Sequence, residues 1–190
     1  MPLLVDHLEG RLGRLEMSWS GSPQEGLPTF NVGCFAGGVF AGVAGYSTLG
    51  LSKLPLHERG HSRHFFIEFI SAVRSSNETV RDSLLGVFEF IWSKCVDSRE
   101  VVLRGDVVKL PDGLVLGERF THLYAALPVY YDGDFKSVVV EDGKSVAIVW
   151  LIPIAADEAR IVAEQGWEKF EQRLVERDPD LMDFARDLVS

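Results

Sequence analysis

With 190 residues, 46% hydrophobic and 25% charged, the chain can bury one substantial core, and it is too hydrophobic to be disordered. Its formal net charge of -9 is the reverse of what phosphate neutralisation needs, which excludes a nucleic-acid binder. No apolar run reaches bilayer length. Asp6 and Glu9 interrupt the first apolar residues with no basic stretch before them, so the sequence reads as one soluble, cytoplasmic domain over 1–190 with no membrane contact.

The chain opens with Leu4, Leu8, Leu12 and Leu15 at helical spacing, Arg11 and Arg14 falling on the opposite face. This predicts an amphipathic helix over Pro2–Trp19, weakened by Gly10 and Gly13, followed by a loop over Gly21–Pro28. Thr29–Leu51 is rich in β-branched and aromatic residues and reads as strands, with Ala36-Gly37-Gly38 able to turn a hairpin. A loop over Ser52–Ser62 leads into His64–Val73 (HFFIEFISAV), a buried strand.

Asn77 is placed to cap a long helix running to about Cys95, because Val80, Leu84, Val87, Phe88, Ile91 and Trp92 recur at three- and four-residue steps. Val101–Arg104 and Val107–Leu110 read as short strands, and Pro111-Asp112-Gly113 as a turn. Strands are expected over His122–Tyr131 and, after a turn at Gly143, over Ser145–Ile152. Asp157–Val189 reads as helical, divided at Gly166, with Asp178 capping a last helix opened by Pro179. The whole is an α+β fold with a mixed central sheet flanked by helices and a helical C-terminus.

Three local patterns invite chemistry. His57-Glu58-Arg59-Gly60-His61 matches the H-E-x-x-H of zinc hydrolases, and His64 follows closely. That motif works only on a helix, where the histidines lie one turn apart and the glutamate activates water. Pro55 and Gly60 argue against a helix, so the preferred reading is an exposed loop without metal, and a metal-dependent hydrolase stands as the alternative. Gly33 and Gly38 have the spacing of a phosphate loop, but Val39 and Phe40 occupy the places of its lysine and hydroxyl residue, so no nucleotide or other cofactor is expected. Cys34 and Cys95 sit among apolar residues, form no C-x-x-C pair, and read as buried, reduced thiols.

Charge is unevenly placed. Asp157–Asp187 holds ten acids against five bases, mixed as on a solvated helix face. Around the expected turn after Tyr131, Asp132, Asp134, Glu141 and Asp142 gather with Tyr130, Tyr131 and Phe135. Acids and aromatics at a loop tip suit a basic protein partner, and these four acids are the candidate partner-binding residues.

Four stretches together resemble the Suppressor of fused-like domain family. Ser47–Pro55 (STLGLSKLP) is similar to its T-S-G-[LM]-S-x-x-P element through Thr48, Gly50, Ser52 and Pro55, and is followed by a strand carrying an acid, Glu68. Leu103–Lys109 (LRGDVVK), with Phe120-Thr121 downstream, is similar to its middle strands. Trp150–Glu158 (WLIPIAADE), with Gly166 after it, resembles W-L-x-P-I-T-x-x-E, and Asp183–Val189 (DFARDLV) resembles D-x-x-R-x-x-V. The likeness spans about 29–189, leaving 1–28 as an N-terminal helix and loop. Leu49 replaces a small residue, and Ala155 replaces a threonine that would cap the next helix.

The resemblance implies the mixed-sheet α+β fold and a non-catalytic, protein-binding role. In animals a second domain accompanies this one and the pair holds a transcription factor. Single-domain bacterial members look like immunity proteins that neutralise a cognate toxin, and an acidic surface would steer them to a basic one. A regulatory adaptor holding an extended peptide along a sheet edge is the further alternative.

Overall fold

The computed structural model describes residues 2–23, 25–58, 60–61, 63–74 and 78–189. Helix α1 (Pro2–Leu12) leads into strands β1 (Gly13–Ser20), β2 (Asn31–Gly37) and β3 (Val43–Thr48). After a single 3-10 turn (Leu51–Lys53) come the two-residue β4 (Leu56–His57), the long β5 (His64–Arg74) and α2 (Glu78–Ser98). Strands β6 (Val107–Lys109), β7 (His122–Ala126), β8 (Ser137–Val139) and β9 (Ser145–Ile154) follow, then α3 (Ala156–Gln165) and α4 (Trp167–Arg177). Among the described residues no helix is long and apolar enough to cross a membrane.

The nine strands form one sheet in the order β1-β2-β3-β5-β9-β7-β6, with β4 beside β5 and β8 beside β9. The β5–β9 pair is parallel and the other ladders are antiparallel, so the sheet is mixed, as expected. β5 and β9 are central and covered on both faces, which is why HFFIEFISAV and SVAIVWLIPI read as almost unbroken apolar runs. One face packs on α2 through Ile67, Phe69, Val149 and Leu151 against Leu84, Phe88 and Ile91. The other carries α1, α3 and α4, where Leu4, Leu8, Ile70, Trp150 and Phe170 are buried together.

Several expectations fail for identifiable reasons. The first helix ends at Leu12, and Leu15 and Trp19 belong to β1. Gly13 makes the break: its φ is +94°, and a Cβ there would lie 2.1 Å from the Ala36 carbonyl oxygen. Val101–Arg104 is irregular; beside the bridge between His57 and Glu100, the Val101 N–H donates to the His57 carbonyl at 3.0 Å. β7 stops at Ala126, because Pro128 follows and 129–130 form a turn. Within the expected 52–62 loop, Leu56–His57 pairs with β5. The proposed cap Asn77 lies outside the described residues.

The expected last helix does not form either. Asp178, read as its N-cap, instead ends α4 in the left-handed conformation at φ 43° and ψ 51°. Beyond it, Asp180 and Asp183 accept hydrogen bonds from the backbone N–H groups of Met182 and Ala185, which competes with helix formation. The tail is drawn inward by Arg186, whose guanidinium meets the Glu158 carboxylate at 2.8 and 3.0 Å and stacks on Phe120. Glu158 also accepts from the Ala155 and Val189 N–H groups, so it stands in for the cap that Ala155 lacks. Both charged side chains are buried, at 3% and 0% exposure.

Removing one member of such a pair leaves the other charged and unpaired in a dry site. Arg186→Met should therefore cost about 3–5 kcal/mol in urea unfolding, and adding Glu158→Gln to it should recover part of the loss. A cost near zero for the single change would contradict the role assigned to this ion pair.

Candidate protein-interaction groove

Four polar residues of the family likeness, Thr48, Glu68, Glu158 and Arg186, are turned inward. Glu68, on the central strand β5, is completely buried. Its carboxylate accepts from the Thr48 hydroxyl (2.6 Å), from the Gly50, Leu51 and Ser52 N–H groups (2.8, 3.3 and 3.0 Å), and from the Ser52 hydroxyl (2.6 Å). Thr48 in turn accepts from the Phe69 N–H at 2.9 Å. Three consecutive N–H groups can converge only because the chain turns sharply at Gly50, whose φ is +116°. Burial pushes the Glu68 carboxyl above its ordinary value, opposed by the Ser52 and Thr48 hydroxyls and the backbone donors. With five donors converging on a carboxylate that is itself fully buried, this cluster holds the 48–52 segment to the sheet.

The described residues of the H-E-x-x-H stretch are not helical. His57 lies in β4 directly across from His64 of β5, and Glu58 and His61 lie outside any helix. Among the described residues no group of three His, Cys, Asp or Glu side chains is placed to hold a metal. Both cysteines are buried, and burial pushes the Cys95 thiol up to about 12, which keeps it protonated and unreactive.

The four acids singled out in the sequence lie at two places. Asp132 makes two hydrogen bonds to Arg11 of α1, at 2.9 and 3.0 Å, and this contact holds its carboxyl below its ordinary value. Asp134 is exposed nearby and adds to the field on Arg11. Glu141 and Asp142 sit on the β8–β9 hairpin, where Lys144 pairs with Asp142 at 2.6 Å and lowers its carboxyl. With Leu4, Ser52 and Lys53 they line a shallow recess of about 180 Å³. The aromatic partners expected beside them are not on the surface. Tyr131 and Phe135 are buried, and Tyr130 is half-buried with its hydroxyl donated to the Pro179 carbonyl.

A more apolar concavity of about 390 Å³ opens at the end of β7. Tyr124, Ala126 and Ile152 form its floor, the 127–130 segment one wall, and α4 the other. Glu171, Leu174, Val175 and Asp178 look into it from α4, three and four residues apart on one helix face. Three of the exposed large apolar residues, Leu127 (36%), Val129 (67%) and Val175 (79%), lie here. Exposed apolar side chains gathered in one concavity mark a binding surface more than scattered ones do.

One end of the groove is closed by a fixed polar cluster. Arg104 stacks on Trp167 at 4.5 Å and makes a bidentate pair with Glu171, which also accepts from the Tyr124 hydroxyl at 2.8 Å. Burial works to raise the Glu171 carboxyl, but the hydrogen bonds from Arg104 and Tyr124 and the Arg104 charge outweigh it and leave it lowered. The Tyr124 phenol is pushed up by burial and by that same carboxylate. Sequence reasoning missed this groove. Its only trace there is Val175, an apolar residue beside the apolar Trp167–Phe170–Leu174 stripe, together with Leu127 and Val129 flanking a proline.

The family model for Suppressor of fused protein (SUFU) matches residues 30–187. The chain belongs to the Suppressor of fused family. Its fold is similar to that of a protein described as a SUFU homolog from Neisseria gonorrhoeae FA 1090, with a TM-score of 0.75 and 18% identity over 100% of this chain and 96% of that one. A chain in a Sufu-Fu complex matches with a TM-score of 0.68 and 13% identity, covering 97% of this chain and 89% of its own length. Drosophila Suppressor of Fused matches with a TM-score of 0.56 and 13% identity over 91% of this chain but only 46% of its own. No curated protein matches the chain. The Thr48–Gly50–Ser52 and Glu158–Arg186 elements of the family likeness therefore coincide with the two buried carboxylate clusters.

Glu68→Gln leaves donors facing an amide N–H and should cost about 2–4 kcal/mol. Because the folded carboxyl titrates above its ordinary 4.5, the native state holds that proton longer than the unfolded state does. Stability from this group is therefore lost as pH rises from 4.5 towards the folded value, opposite in sign to Glu171, Asp132 and Asp142, whose contribution is lost as pH falls. The pH dependence of wild-type stability minus that of the variant isolates the Glu68 part, and a difference curve rising through this window would contradict the assignment.

Proposed function

We propose that the chain is a non-catalytic, cytoplasmic protein-binding domain of the immunity type, which binds and neutralises a cognate toxin. The observation that carries the binding part is the apolar groove between α4 and the 127–130 segment, where Leu127, Val129 and Val175 remain exposed. Membership of the Suppressor of fused family, and a fold like that of a chain in a Sufu-Fu complex, support a protein as the ligand. The toxin-neutralising part rests on the acidic charge of -9 and on the likeness to single-domain bacterial members of the family. Asp132, Asp134, Glu141 and Asp142 contribute to the negative field that steers a basic toxin towards the domain.

Co-expression with a toxin-like protein encoded by an adjacent reading frame should restore growth, and the purified pair should associate at a rate that falls steeply with added salt. Asp134→Lys combined with Glu141→Lys should slow association while leaving dissociation nearly unchanged. Failure to bind that protein would overturn the immunity reading, and a salt-independent rate would overturn the steering.

A further inference from the structure

We infer that the groove beside α4 takes an apolar, cationic segment of its partner: two or three apolar side chains on the floor and a lysine or arginine against Asp178. This deepens the protein-binding reading and does not depend on the partner being a toxin.

Three features select that chemistry. The floor and walls offer Ala126, Leu127, Val129, Ile152, Leu174 and Val175, which only apolar side chains can cover with gain. At the closed end Arg104, the one cation among the described lining residues, is neutralised by Glu171 and held by Trp167, so an acidic ligand finds no free positive charge among them. At the open end stands Asp178, exposed in the left-handed turn that finishes α4. Its carboxylate has no hydrogen bond or ion pair among the described residues, although it lies close enough to Tyr130 to help raise that phenol. One uncompensated negative charge therefore remains along an otherwise apolar cleft, and the surrounding Asp157–Asp187 stretch, with twice as many acids as bases, adds to its field. A basic residue following an apolar patch is the complement.

The test is selection of a random short-peptide library displayed on phage against the full chain, with binding of the selected peptides measured by fluorescence polarisation. Selected peptides should carry at least two apolar residues and a lysine or arginine. Val129→Glu and Val175→Glu should each weaken them about tenfold or more, as expected for a charge placed in an interface core. Asp178→Lys should reverse the preference, so that the same peptides with glutamate in place of the basic residue bind the variant better than the originals do. All three positions are exposed, and unchanged melting curves would show that the variants fold. Peptides that bind the Val175→Glu variant as well as wild type, or that show no charge reversal with Asp178→Lys, would overturn the proposal. So would sedimentation showing that the groove is closed by a second copy of the chain. Because the selection uses no toxin, its failure removes the groove as the docking site without testing toxin binding, and failure of the toxin experiment leaves the groove standing.

Discussion

A carboxylate placed on the middle strand of a sheet and shut away from water must be met by donors on every side, or the strand cannot stay where it is. Glu68 is in that position, and the segment from Thr48 to Ser52 supplies five donors to it. The arrangement joins residues twenty apart in sequence and fixes how β3 leaves the sheet before the chain returns as β4 and β5. Because β5 also pairs in parallel with β9, the same clasp sets the level of the strand that carries Trp150 and Ile152. The groove floor is laid down on that strand and its neighbour β7.

The second buried carboxylate works at the far end of β9. Glu158 begins α3, replaces the missing cap at Ala155, and ties Arg186 and Val189 of the tail against the Pro153 carbonyl region. Earlier in the same tail, the Pro179 carbonyl accepts from the Tyr130 hydroxyl, so the segment that forms one groove wall is braced by the segment that follows α4. The two carboxylate clusters thus account for the polar residues of the family likeness in physical terms: they hold backbone in place. The proposed partner surface is made of other residues, Leu127, Val129, Val175 and Asp178.

The fold class was legible in the sequence because its strongest signals are long. The apolar run of β5, the three- and four-residue steps of α2, and the continuous β9 lie where the periodicity placed them. What failed turned on single residues whose effect depends on tertiary contact. Leu15 fits a helical stripe, yet Gly13 ends the helix before it by turning against Ala36. Asp178 and Pro179 look like a helix start, yet the pull of Arg186 towards Glu158 takes the following residues elsewhere. Tyr131 and Phe135 look like a sticky loop tip, yet the loop folds under α1, where Phe135 stacks on His7 and Asp132 grips Arg11. The groove was illegible for the same reason: its residues come from β7, the 127–130 turn, β9 and α4, and no local pattern joins them.

The claim on which the rest depends is that the Thr48–Ser52 segment is locked by Glu68 and is not a mobile binding loop. Native-state hydrogen exchange of the free protein tests it directly at the amides of Gly50, Leu51 and Ser52. They should open only with global unfolding, as slowly as the amides of β5 and β9. Exchange of these three amides at the rate of an exposed loop, while the central strands stay protected, would contradict the account.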